Sequence, residues 1–211
     1  MTDLMQEHIK EEEEEKETRM SKSSRFVLQI AGAALFSAIS LLFSMFVTPY
    51  LPETPQGLAY FDPVSIIWIT CYLIFGPLAG ILCCGIGSLA LMPFDDFAPI
   101  GPLMKLAATL SLIIVPILIL EFTKRDKNIR KSQILKKPKN YITYGISGTV
   151  FRIIVMLILN IVIYLMFYGS SGLEIYIIVV ILINALTSLW DLLFPYLLVF
   201  VTKIDTKFEI W

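Results

Sequence analysis

YITYGISGTVFRIIVMLILNIVIYLMFY, residues 141–168, and LEIYIIVVILINALTSLWDLLFPYLLVFVT, residues 173–202, decide the architecture. Each run exceeds the ~20 apolar residues that carry a helix across a ~30 Å hydrocarbon core. A Gly-Ser-Ser-Gly link, residues 169–172, is all that separates them. Arg152 is the only charge in the first run, and Glu174 and Asp191 are the only two in the second. Two such runs on so short a link read as an antiparallel pair of transmembrane helices.

The rest of the chain repeats the pattern. A first span covers about Phe26–Val47, and a Pro- and Gly-rich loop follows to Tyr60. The apolar stretch from Val64 to Met92 is too long for one crossing and is broken at Gly76-Pro77, so it divides into helices over about 63–75 and 78–92. A fourth helix spans about 103–122, with Pro116 as a kink point. With 141–168 and 173–202 these make six. Residues 1–24 form a polar, acidic tail carrying the run Glu11–Glu15, and 203–211 a short polar tail. The first 25 residues contain no apolar stretch, so they do not read as a cleaved signal peptide.

Composition agrees. Of 211 residues 56% are hydrophobic and 17% charged, with a mean hydropathy of +0.75, against about 45–50% and about 25% in a soluble domain. Of the 35 charges, 13 lie in 1–25 and 9 in 122–140. The expected fold is therefore all-α: a multi-pass membrane protein of six helices. A disulfide scaffold or a nucleic-acid-binding domain is excluded. The cysteines, Cys71, Cys83 and Cys84, sit in apolar stretches without metal-ligand spacing, and the single histidine, His8, sits in the tail. That leaves no metal site and no histidine-based catalysis within the membrane.

Lysine and arginine orient the chain. Lys22 and Arg25 precede the first span, eight basic residues (Lys124 to Lys139) fill the loop between the fourth and fifth, and Lys203 and Lys207 follow the sixth. The opposite loops carry Glu53, Asp62, Asp95, Asp96 and Glu174, with Lys105 the lone exception. Both termini are thus expected in the cytoplasm.

Four polar residues stand at membrane depth. Arg152 lies roughly 16 Å from the cytoplasmic end of the fifth helix, and Asp191 roughly 18 Å from that of the sixth. Opposite charges at matched depth read as an ion pair, either a clasp between helices or a functional coupling element. Asn160 and Asn184 form a second layer, roughly 12–17 Å below the outer surface. Buried carboxamides need partners. A helix-to-helix clamp and a polar, planar ligand in an outward-open space both meet that need. On the first helix, Ala33-x-x-x-Ser37 and Ala34-x-x-x-Ala38 offer a small-residue face for close helix approach. The aromatic residues Tyr50, Tyr60, Phe61, Trp68, Phe94, Phe97, Tyr168 and Tyr176 cluster toward the outer ends, as in an interfacial belt.

These features together resemble the substrate-binding S component of energy-coupling-factor (ECF) transporters. The likeness rests on six helices, the Ala34/Ala38 pair and the Gly76–Gly80 turn, Gly-Pro-Leu-Ala-Gly. Phe61-Asp62-Pro63-Val64, Gly101-Pro102-Leu103-Met104-Lys105 and Arg152 through Asn160 are similar to the riboflavin-type branch. The resemblance implies capture of a water-soluble vitamin from outside, and ATP-driven toppling together with a T component and two ATPases. It implies substrate-binding roles for Asn160, Asn184, Thr187, Lys105 and Asp62, and T-component docking at Ala34 and Ala38. Riboflavin-type members typically carry lysine where this chain has Thr187. No Walker-type phosphate loop occurs, so ATP would be used by the partners, and this chain is expected to need no cofactor and to be no enzyme. Two other readings fit the same sequence. One is a self-sufficient proton-coupled carrier titrating at Asp191, and the other a structural membrane subunit.

Overall fold

A computed structural model describes residues 21–54, 57–122, 130–208 and 211. The acidic tail up to residue 20, with His8, and the basic residues Lys124, Arg125 and Lys127 fall outside the described residues. The described residues form helices joined by turns and loops and form no strand, apart from an isolated bridge between Glu53 and Ala59. The membrane-type helices are α1 (Lys22–Phe46), α2 (Pro63–Phe75), α3 (Pro77–Leu91), α4 (Ile100–Phe122), α5 (Pro138–Tyr168) and α6 (Leu173–Tyr196). By length and apolar character α1, α4, α5 and α6 can each cross a membrane, whereas α2 and α3 are shorter apolar helices.

The short α2 is the hub. All its residues except Ile67 are buried, as befits a helix that is apolar on every side. Asp62 caps its start, accepting the Val64 N–H at 3.0 Å, and Pro63 occupies the first helical position where a missing N–H costs nothing. Gly76 ends it with φ +98°, and Pro77 opens α3 immediately. A Cβ on Gly80 would lie 2.6 Å from the Cβ of Tyr72, so glycine lets α3 fold back closely on α2. The last-turn carbonyls of α2 find donors in other parts of the chain: Gln29 Nε2 to Phe75 O at 2.9 Å, and the Trp211 indole to Leu73 O at 3.0 Å.

Pro116 inside α4 leaves the Leu112 carbonyl without its intrahelical donor. Gly148 of α5 packs directly on that carbonyl, where any side chain would collide. This close approach joins α4 to α5.

Helix ends differ from the sequence expectation in a consistent direction. α1, α4 and α5 begin at Lys22, Ile100 and Pro138 rather than near 26, 103 and 141. Polar or turn-like residues extend the helix beyond the apolar zone. The sixth α-helix closes at Tyr196, after Pro195, and a wider π-type turn carries Leu197–Val201. Between α4 and α5 a short helix, Lys131–Lys136, buries Leu135. The C-terminal tail is packed rather than free. Asp205–Phe208 is helical, Asp205 pairs with Lys136 at 2.8 Å, and Trp211 lies on Tyr72 with ring centroids 5.3 Å apart.

Candidate functional site

Helices α5 and α6 meet along two stripes. On α5, Arg152, Met156, Asn160, Tyr164 and Tyr168 recur at every fourth position; facing them on α6 are Tyr176, Val180, Asn184, Thr187 and Asp191. Spacing of three or four keeps each set on one helix face. The seam is dry from Asp191 to Tyr176: Asp191 is 0% exposed, Val180 0%, Asn160 3%, Arg152 4%, Asn184 5% and Tyr176 8%.

Arg152 organises its inner half. One guanidinium reaches three residues of α6: Nη1 pairs with Asp191 Oδ2, Nη2 donates to Thr187 Oγ1 at 3.0 Å, and Nε donates to Asn184 Oδ1 at 3.4 Å. The planar, forked donor set of arginine suits this fan, which a lysine ammonium could not span. Asp191 Oδ1 has no hydrogen-bond partner among the described residues.

Asn160 organises the outer half. Its Nδ2 donates to Met156 O at 2.8 Å, and its Oδ1 accepts the Tyr176 hydroxyl at 2.9 Å. Asn184 repeats the first arrangement, with Nδ2 donating to Val180 O at 2.9 Å. A carboxamide NH₂ carries two donors, so each asparagine has further hydrogen-bonding capacity. Both side chains are buried between the helices, turned toward their own helix's preceding turn, and neither bonds to the other.

Among the described residues, the side chains of Lys105 and Asp62 are not hydrogen-bonded to this seam. Asp62 is committed to α2, with Oδ1 on Val64 N and Oδ2 accepting the Ser65 hydroxyl at 2.8 Å. Ser65 continues to Thr109 at 2.9 Å, and Thr109 donates to Lys105 O at 3.0 Å. The Lys105 ammonium faces Asp95 at 3.6 Å. The structure therefore joins Arg152, Asn184, Thr187 and Asp191 in one network, Asn160 to Tyr176, and Asp62 to the backbone level of Lys105. A separate apolar hollow lies toward the Trp211 end, lined by Tyr72, Leu112, Pro116, Leu135, Tyr141 and Leu192.

Tyr176 and Tyr164 are the seam residues that sequence reading left out of the site. Their signal was the four-residue spacing from Asn160 and Asn184, which the interfacial-belt reading of Tyr176 passed over. Trp68, also assigned to that belt, is fully buried and donates Nε1–H to Ser40 Oγ at 2.9 Å. The small residues of α1 divide into two faces. Gly32, Ala33, Ser37 and Ser40 are buried inside, Ser37 bonding to Cys83 O at 3.1 Å. Ala31, Ala34 and Ala38 are exposed. Ala33-x-x-x-Ser37 is thus an internal packing face.

Comparison with known proteins returns concordant results. The family model described as "ECF transporter, substrate-specific component" matches residues 28–203. A solved structure, described as the S component of a bacterial ECF transporter, superposes with a TM-score of 0.61 at 22% identity, covering 89% of this chain and 99% of that one. Comparison with curated proteins returns no match.

Proposed function

Because the chain belongs to the family of ECF transporter substrate-specific components, we propose that it captures a planar, water-soluble vitamin, riboflavin or a close analogue, and delivers it with a T component and two ATPase subunits. In this reading all six helices are embedded in the cell membrane, with both termini in the cytoplasm. The ligand binds in the outer half of the α5–α6 seam. Asn160 and Asn184 supply hydrogen bonds, Thr187 holds Arg152 beside them, and Asp62 and Lys105 bound the site from α2 and α4. Arg152 and Asp191 close it below as a neutral layer. The observation that carries the reading is the burial of two asparagines, each with donor capacity left over, within a family of substrate-binding subunits. An apolar pocket with a few convergent polar groups suits a flat heteroaromatic ring.

Ala34 and Ala38 dock the T component. Both are exposed, on a face of α1 distinct from the Gly32–Ser40 face that packs inward. ATP is hydrolysed by the partner subunits.

Riboflavin binding to the purified protein, followed by flavin fluorescence quenching, tests the ligand. Asn160→Ala and Asn184→Ala are each expected to raise Kd about tenfold, the scale of one hydrogen bond lost in a dry site. Unchanged affinity in both would return the asparagines to helix clamping. Mass spectrometry of ligand extracted from the protein identifies the vitamin if riboflavin fails. Ala34→Trp is expected to abolish co-purification with the energy-coupling subunits and to leave vitamin capture intact.

A further inference from the structure

Tyr164 is held from both sides. Its hydroxyl donates to Ser171 O at 2.6 Å in the α5–α6 link, and Gly172, at φ +75°, leaves room for it. Its ring stacks on Tyr176 with centroids 4.2 Å apart and planes 23° from parallel, and on Tyr168 at 5.1 Å and 25°. Among the ring contacts of the described residues these two are the stacked ones, and both use Tyr164; the others are tilted or edge-on. The column runs from Tyr168, 63% exposed, to Tyr176, 8% exposed, whose hydroxyl ends on Asn160.

We propose that Tyr176 is a built-in stand-in for the ligand: an aromatic ring stacked on the fixed Tyr164 platform, with a donor at its far edge satisfying Asn160 Oδ1. The incoming molecule takes its place ring for ring and donor for donor, and Tyr176 swings aside toward the mouth. The chemistry follows from what Tyr176 now supplies. The ligand is a flat aromatic system that stacks on a phenol and carries an N–H or O–H on its edge, since Asn160 Oδ1 is an acceptor. The exchange keeps Asn160 Oδ1 hydrogen-bonded in either state, which explains how a seam this dry opens without orphaning that buried acceptor. It also accounts for the burial of Asn160, 3% exposed, against Tyr176. The proposal rests on reading Asn160 as a ligand residue, and it adds Tyr164 as platform and Tyr176 as displaceable gate.

The gate is testable without knowing the ligand. Met156 lies one turn below Asn160 and is 6% exposed. In the full-length protein carrying Met156→Cys, labelling of the introduced cysteine by a hydrophilic maleimide reports opening of the seam. Tyr176→Phe, which keeps the ring and removes the latch, is expected to speed labelling several-fold, and Tyr176→Ala by about tenfold or more. Cys71, Cys83 and Cys84, all buried elsewhere, serve as the control and must stay unlabelled in these variants, so that unfolding is distinguished from gating. Equal labelling rates with and without the Tyr176→Phe change would overturn the gate. Riboflavin is the probe for the second arm: Tyr176→Phe removes a competitor for Asn160 and is expected to tighten its binding, while weakened binding would make Tyr176 a direct contact and overturn displacement. If labelling accelerates but riboflavin neither binds nor protects the introduced cysteine, the gate stands and the riboflavin reading fails.

Discussion

Two regions of this bundle bury polar side chains to the same extent and use them differently. In the α1–α2–α3 cluster the donors around Trp68 form a closed chain, while the buried Tyr72 hydroxyl of α2 has no hydrogen-bond partner among the described residues. Trp68 Nε1 donates to Ser40, Ser40 to Ser37 O, and Ser37 to the carbonyls of Ala33 and Cys83. Every donor in that chain has its acceptor, and the groups are locked between small residues at close approach. Along the α5–α6 seam the groups are equally buried, yet the chains stay open. Among the described residues Asp191 Oδ1 lacks a partner, and Asn160 and Asn184 each direct one hydrogen bond to a local carbonyl and retain another donor. Burial of polarity alone therefore does not mark a binding site in a membrane bundle. The proposed site draws instead on remaining hydrogen-bonding capacity, because a closed network has nothing to offer a newcomer.

The largest test of this contrast is the charge pair. Asp191→Leu leaves Arg152 buried beside only Thr187 and Asn184, at an expected cost of about 3–5 kcal/mol. In a domain of this size that lowers the thermal midpoint by about 10 °C or more, measured by heating the detergent-solubilised protein and following the monodisperse fraction. Adding Arg152→Met to Asp191→Leu is expected to restore most of the loss, since two apolar groups of similar volume replace a paired charge at little net cost. Recovery of stability without recovery of riboflavin binding would assign the pair to the proposed site. Recovery of both would make it a clasp.

The closed region is probed by crowding it. A Cβ on Gly87 would lie 2.6 Å from Trp68 Nε1, and Trp68 is fully buried. Gly87→Leu is expected to destabilise by about 3 kcal/mol, the upper part of the usual overpacking range. In the proposed reading, riboflavin affinity of the fraction that folds should stay unchanged. A loss of affinity as large as that from Asn160→Ala would show that the two regions are not separate.

Much of this organisation is legible in the sequence, for physical reasons that also set the limits. Blocks such as 141–168 announce helices because lipid demands unbroken apolar length and internally bonded backbone, and the S-component resemblance drawn in part from Gly76–Gly80 agrees with the family match. Helix ends are less legible, because apolar length reports where lipid lies and not where backbone hydrogen bonding stops; Lys22 and Pro138 are helical but polar or turn-like. Depth follows from 1.5 Å per residue, so the pairing of Arg152 with Asp191 can be drawn from spacing. The aim of a carboxamide cannot: Asn160 and Asn184 bond back to Met156 and Val180 carbonyls, a choice set by the facing helix. On α1 the sequence offers two small-residue registers one residue, about 100°, apart. Only tertiary packing decides that Ala33 and Ser37 face inward while Ala34 and Ala38 are left exposed. Trp211 gave no signal, because two aromatics, Phe208 and Trp211, in so short a polar tail set no periodicity.

The smallest and cleanest comparison deletes one hydroxyl from each region. Ser40→Ala removes the acceptor of the Trp68 indole, and Thr187→Val removes the acceptor of Arg152 Nη2. Each leaves one buried donor without its partner, so each is expected to lower stability by about 1–2 kcal/mol. Because the penalties match, stability alone cannot tell the regions apart, and the ligand becomes the discriminating readout. Freed from Thr187, the guanidinium shifts its hold on Asn184, so Thr187→Val should change riboflavin affinity several-fold while Ser40→Ala leaves it as it was. Isothermal titration of both variants at one temperature decides between them. Equal affinities would mean that the Arg152 fan only joins helices, and the open chains of the seam would then carry no functional weight.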